Sequence, residues 1–213
     1  KIEIKQNTLM SSVSGQSIKI PSYWDEHACL VDAIMERRES KRNTVHLNFA
    51  IQIAAQLINK FCDVKDGGVC FTANDHEKVS FRPKPMYDDA LPSGNGVAAF
   101  ALQRLGFLTG NEKYLSASER TLENSFELLT KTPQGHLTLI NTLEEYFDHP
   151  EIIIITGDVS EISKWKESTN KIYSPTRMII AIPIDEKDLT SALDTKKCIN
   201  KKTTAYRCTE RNC

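Results

Sequence analysis

Two places in the chain gather side chains able to hold protons and bind hydroxyls. The first is Tyr87-Asp-Asp-Ala-Leu-Pro-Ser-Gly-Asn95, where Asp88 and Asp89 are adjacent carboxylates and Ser93 and Asn95 open an apolar stretch. The second is Asp25-Glu26-His27, at the start of an earlier periodic segment. Pro92 and Gly94 do not easily extend a preceding helix, whereas Ser93 is a strong helix N-cap. Asp88, Asp89, Ser93 and Asn95 are therefore expected at the positive end of a helix. There an anion, a hydroxyl-rich ligand or the helix's own unpaired N–H groups can be satisfied. Asp25 and Glu26 suit a first turn for the same reason. His27 projects into a different angular sector from Asp25, so their adjacency does not make a catalytic pair.

Other chemistry finds little support. His46, His76, His136 and His149 show no metal-ligand spacing, and Ser93 lacks the Gly-x-Ser-x-Gly pattern of a nucleophile elbow. Of the six cysteines, Cys62 and Cys70 are not a Cys-x-x-Cys redox pair, and Cys29 among Ala28, Leu30 and Val31 reads as a buried reduced thiol. Cys208 and Cys213 are close enough in sequence for a disulfide, or for half of a sulfur site that has no second compact Cys/His pair to complete it. No metal and no cofactor are expected.

The elements that must position these residues follow from periodicity. Val97, Ala98, Ala101, Leu102, Leu105 and Leu108 form a broad stripe that predicts an inner helix ending at Thr109-Gly110. Helices are predicted from about Ser22 to Arg38, over Thr44 to Phe61, from Asn111 or Glu112 along Leu115, Leu122, Phe126 and Leu129, and from about Gly135 to Phe147. A short hairpin or extended entry precedes them. Val69–Thr72 and Val79–Phe81 read as a small hairpin. After Pro150 the period changes: strand Glu151–Thr156, helix Ser160–Ser168, strand Thr176–Ile182 and an edge strand over Thr203–Cys208. The expected fold class is mainly α, a set of helical hairpins over 1–149, with a small mixed α/β segment over 150–213.

With 27 Lys and Arg against 28 Asp and Glu, the net charge of −1 provides no global field for nucleic acid. No apolar run approaches membrane-spanning length, so neither nucleic acid nor membrane is an expected partner. A soluble chain is expected, an intracellular setting is compatible, and the compartment stays open. The start at Lys1, without Met or a signal-like segment, reads as a processed protein or an excised domain.

Several blocks together resemble the C-terminal portion of the spermatogenesis-associated, thioredoxin-domain-containing protein family. They are Ile20-Pro-Ser-Tyr-Trp-Asp-Glu-His-Ala28, Asp66-Gly-Gly-Val-Cys-Phe-Thr-Ala73, Arg82-Pro-Lys84, Tyr87 to Asn95, Leu108-Thr-Gly-Asn-Glu-Lys-Tyr114, Glu151 to Gly157, and Thr204-Ala-Tyr-Arg-Cys208 with Cys213. The resemblance implies a partial (α/α) toroid of helical hairpins like those of N-acylglucosamine epimerases and six-hairpin glycosidases. It also implies an adjacent thioredoxin-like domain outside this sequence. The chain departs from the family where Asp25-Glu26-His27 replaces Glu-Asp-Tyr and where Asp88-Asp89-Ala90-Leu91 replaces Asp-Gly-Ala-Thr.

The resemblance implies two roles for the carboxylates. A sugar epimerase or isomerase needs groups that remove and return protons, which Glu26, His27 and Asp88 would supply, while Asp25, Tyr87, Asp89, Ser93 and Asn95 would bind ligand. A glycosidase needs two carboxylates flanking one bond, for which Glu26 and Asp88 are the better placed. Against both stands the reading in which Asp25, Glu26 and Ser93 cap helices and His27 makes an interhelical contact. The expectation is a scaffold or polar-ligand region, with sugar chemistry as the alternative. Expected partners are a polar small molecule or sugar, the adjacent domain, and an oligomer contact where missing helices would leave an apolar face.

Overall fold

The computed structural model describes residues 3–5, 8–10, 22–40, 44–76, 80–187 and 189–209. The chain is mainly α: helical hairpins followed by a small mixed α/β element, an arrangement consistent with part of an (α/α) ring. An antiparallel pair, β1 (Glu3–Lys5) and β2 (Thr8–Met10), leads to α1 (Trp24–Ser40) and α2 (Thr44–Phe61). Then come α3 (Gly94–Thr109), α4 (Glu112–Lys131), a 3-10 turn at Pro133–Gly135, and α5 (Leu137–Phe147).

The inner helix is α3. Ser93 caps it, its Oγ accepting from Gly96 N–H at 3.1 Å, and Gly110 ends it in the left-handed conformation with φ 67°. Ala98, Ala99, Ala101, Leu102, Leu105 and Leu108 are all buried, because α1, α4 and α5 each pack against a different side. At its first residue α1 comes so close that a Cβ on Gly94 would lie 1.8 Å from the Trp24 ring. Trp24 is itself buried, so the starts of α1 and α3 meet.

By contrast, α4 buries only a narrow face, Tyr114, Ser118, Thr121, Leu122, Ser125 and Leu129. Phe126, expected on that face, is 64% exposed, and Phe147 of α5 is 77% exposed. The buried track follows Leu122, Ser125 and Leu129, which leaves Phe126 on its outer flank. Phe126 and Phe147 instead line an apolar groove of about 340 Å³ with Leu122, Leu129, Leu143 and Tyr146.

The hairpin expected over Val69–Thr72 and Val79–Phe81 does not form among the described residues, and positions 77–79 lie outside them. Val69 instead makes an isolated bridge with Cys62, and Cys70 N–H donates to the Phe61 carbonyl at 2.9 Å. The segment thus folds back on the end of α2. Phe71 N–H goes to the Pro83 carbonyl, which removes it from a second strand.

In the C-terminal element β3 (Ile152–Gly157) is central, parallel to β4 (Met178–Pro183) across α6 (Val159–Asn170) and antiparallel to β5 (Thr204–Cys208). A single-turn helix, α7 (Ser191–Asp194), precedes β5 and has no counterpart in the periodicity. One buried cluster runs from Trp24, Val31, Leu57 and Leu102 through to Ile152, Ile154, Met178, Ile180 and Leu193, so helices and sheet share a core.

A charge sits inside this packing. Arg104 on α3 is buried; its Nε lies 3.1 and 3.0 Å from the two carboxylate oxygens of Glu145 on α5, and its Nη2 also donates to Glu145. Its Nη1 reaches Glu36 of α1 at 3.3 Å, Nη2 reaches the Pro175 carbonyl at 3.4 Å, and the guanidinium lies 4.3 Å from the centroid of the Phe100 ring. Removing one member of a buried ion pair strands the other. Arg104→Met is expected to cost about 3 kcal/mol in urea unfolding, and Arg104→Met with Glu145→Leu to recover at least half of that loss. A single variant within about 0.5 kcal/mol of the parent would show the pair to be energetically idle.

Candidate functional site

The Tyr87–Asn95 loop lies against α5 and the 3-10 turn. Asp88 Oδ1 accepts from Ser93 N–H at 2.7 Å, and Oδ2 accepts from Thr138 N–H at 2.8 Å, while Asp88 N–H donates to the Gly135 carbonyl at 2.8 Å. One carboxylate therefore serves the starts of α3 and α5 together. Burial pushes its pKa up, but the N–H donors from Thr138 and Ser93 outweigh burial and leave it below the usual carboxylate value. Asp89 is exposed, with its N–H on the Leu91 carbonyl. Tyr87 is 62% exposed, its ring edge-on to His136 at 5.5 Å between centroids.

Asn95 is fully buried and its amide is spent on backbone. Oδ1 accepts from Val69 N–H at 2.6 Å, and Nδ2 donates to the carbonyls of Val69 and Pro85, each at 2.9 Å. It ties the segment after α2 and the proline-rich approach to the first turn of α3. Those contacts consume the donors and acceptor that ligand binding would require.

At the start of α1, Glu26 accepts from Tyr23 N–H at 2.9 Å, the backward half of a capping box, and exposed Asp25 accepts from Glu26 N–H at 3.0 Å. His27 Nδ1 lies 2.8 Å from the Tyr23 carbonyl, which assigns the proton to Nδ1. The ring packs on Phe61 of α2 at 5.0 Å, and Nε2 is buried without a hydrogen-bond partner among the described residues. Burial lowers the His27 pKa, with the Tyr23 carbonyl, Gln56 and Glu26 opposing it incompletely. His27 is thus a neutral interhelical residue.

The helix starts meet through Trp24 and Gly94, but the two carboxylates are used separately, Glu26 on its own helix and Asp88 between α3 and α5. A buried polar constellation lies outside the expected site residues. It is Arg104 with Glu145 and Glu36, beside Asp32, whose pKa is raised by burial and by the Glu36 charge. An arginine within an otherwise apolar inner stripe was its sequence signal. Among the described residues no group of three or more His, Cys, Asp or Glu could hold a metal ion, and no helix is long and apolar enough to cross a membrane.

No family model matches the chain. It is similar to spermatogenesis-associated protein 20 of Homo sapiens, 23% identical over 203 residues covering 91% of this chain and 26% of the human protein. The Mus musculus protein of the same name is 24% identical over 166 residues, covering 75% of this chain and 21% of its own length. The chain spans about a quarter of the length of the curated relatives it matches.

The thiols show what chemistry this part of the chain retains. Cys29, Cys62, Cys70 and Cys198 are free, whereas Cys208 is disulfide-bonded; position 213, its expected partner in sequence, lies outside the described residues. Cys29 is exposed rather than buried, because Ala28 and Val31 turn to the core and Cys29, one step after Ala28, faces out. Burial, then the Cys70 thiol nearby, pushes the Cys62 thiol up to about 12, so it is not a ready nucleophile. At pH 8, iodoacetamide followed by peptide mass mapping is expected to label Cys29 at least about tenfold faster than Cys62. Equal rates would mean that the Cys62 environment opens readily in solution.

Proposed function

We infer that this chain is a helical scaffold region of a longer protein, in which the polar residues at the starts of α1 and α3 cap helices and clamp loops. The observation that carries this reading is Asp88: both of its carboxylate oxygens accept backbone N–H groups, from Ser93 and Thr138. A sugar epimerase or glycosidase would need Glu26 and Asp88 to present oxygens to one substrate. In this arrangement Asp88 is committed twice over, and Glu26 accepts from its own helix start. The spans 1–149 and 150–213 are then two architectures on a shared core.

A role in holding a polar ligand draws on a different set of atoms. Tyr87, Asp89 and Asp25 are exposed beside the capped starts, where a sugar or other hydroxyl-rich molecule has access to them. The chain matches about a quarter of the much longer spermatogenesis-associated protein 20, which is compatible with an adjoining part of such a protein, thioredoxin-like by the motif resemblance, packing against this region. The apolar groove at Phe126 and Phe147 suits that contact, or contact with a second copy.

The test is Asp88→Asn. Because the folded-state pKa of Asp88 lies below its unfolded value, its stabilisation is present above about pH 4 and is lost as pH falls through the folded value. Asparagine would turn an N–H donor toward a backbone N–H. The variant is expected to lose about 2 kcal/mol at pH 7, with the gap to the parent narrowing below about pH 4. The longer protein carrying Asp88→Asn or Glu26→Gln would be assayed alongside on epimerisation and glycoside substrates. A variant that keeps the parent's stability at every pH yet abolishes a measurable turnover would displace the scaffold reading in favour of sugar chemistry.

A further inference from the structure

The approach to β5 is a tight turn with an unusual occupant. Ile199 and Lys202 form an antiparallel bridge, and Lys202 N–H donates to the Ile199 carbonyl at 3.0 Å. Between them Asn200 and Lys201 have φ of 52° and 58°, the non-glycine residues of positive φ among those described. Two consecutive positive φ values define a type I′ turn, in which asparagine suits the first central position and glycine the second. Lys201 holds the glycine position. Its Cβ makes this conformation costly, and strain of this kind gathers where a side chain is needed in one place.

That place is a groove of about 470 Å³ lined by Glu161, Lys164, Trp165, Lys201, Lys202 and Thr203. Glu161, Lys164 and Trp165 stand three and four apart and share one face of α6. The groove lies at the carboxyl end of β3: a Cβ on Gly157 would be 2.2 Å from Thr203 Oγ1. Open α/β sheets hold ligands at the carboxyl ends of their parallel strands.

The charges of the groove are unbalanced. Lys197 is paired with Asp194, and Lys196 lies 5.5 Å from the centroid of the Tyr206 ring. Lys164, Lys201 and Lys202 make no ion pair among the described residues. The single carboxylate present, Glu161, accepts from Thr203 Oγ1 and ties α6 to the turn. Trp165 is 43% exposed and lines the groove together with Lys164, Lys201 and Lys202.

We propose that this groove binds a small phosphomonoester, with Lys164, Lys201 and Lys202 around the phosphate and the ring of the ligand on Trp165. The volume suits one ring and one phosphate, and three ammonium groups supply point charges to a dianion. Hexose phosphates and nucleoside monophosphates share this chemistry and differ in the ring they offer.

Calorimetric titration with glucose 6-phosphate, adenosine 5′-monophosphate, inorganic phosphate and glucose at about 50 mM salt tests the proposal. One or both phosphomonoesters are expected to saturate near or below about 1 mM, more tightly than inorganic phosphate, with glucose silent; the tighter of the two identifies the ring. Lys201→Gly separates this role from folding. It relieves the turn, so the melting temperature is expected to rise by about 2–4 °C while phosphomonoester affinity falls at least about tenfold. Trp165→Ala is expected to reduce the phosphomonoesters to the affinity of inorganic phosphate. Absence of saturation by about 10 mM, unchanged affinity in Lys201→Gly, or a lower melting temperature in that variant would each overturn the proposal. So would a single-stranded oligonucleotide that binds more tightly than either phosphomonoester and is indifferent to Trp165→Ala.

Discussion

The fold is arranged around a cation that it has to keep out of water. Arg104 projects from the most enclosed helix, and burying a guanidinium is tolerable only when its charge and its N–H groups are met. Glu145 meets it through both carboxylate oxygens, Glu36 meets it from α1, Pro175 offers a carbonyl from the chain entering β4, and Phe100 offers its ring face. Three segments distant in sequence thus have to reach one side chain on α3. Close packing at Gly94 and Trp24 sets the approach of α1 and α3, and the planar fork of Arg104 adds a directional constraint that also fixes α5.

A similar economy governs the starts of the helices. The residue types that suit acid/base work on a sugar are also the ones that satisfy exposed N–H groups, and here the N–H groups hold them. Asp88 serves two helix starts, Asn95 serves a loop, and Glu26 serves its own first turn. Tyr87, Asp89 and Asp25 stay exposed beside these capped starts.

Much of this architecture was legible from spacing. The bounds of α2 follow from Phe49, Ile53, Leu57 and Phe61 at four-residue intervals, and the end of α3 follows from a glycine free to turn left-handed. What escaped had no local signature. Periodicity weighs Arg104 as an interruption, and nothing near it in sequence announces Glu145. The single turn α7 is too short to repeat a pattern. Cys29 reads as core from its apolar neighbours and Phe126 from its spacing along α4, although on a helix one residue's step is enough to leave the buried face. For the candidate site, adjacency singles out Asp88 and Asp89, but whether an Asp88 oxygen faces outward or a neighbouring N–H depends on Thr138, a residue on another helix.

The sequence separations around Arg104 also bear on how the chain is made. Glu36 precedes it by 68 residues, whereas Glu145 follows by 41 and Pro175 by 71. At translation rates of about 5–20 residues per second, the interval before Glu145 leaves the ribosomal catalytic centre is on the order of 2–8 s. During that interval the helix hairpin α1–α2 is already synthesised, and Glu36 is the ion-pair partner that has been made before the arginine. The weaker, more exposed partner in the finished protein is the earliest one available to the nascent chain.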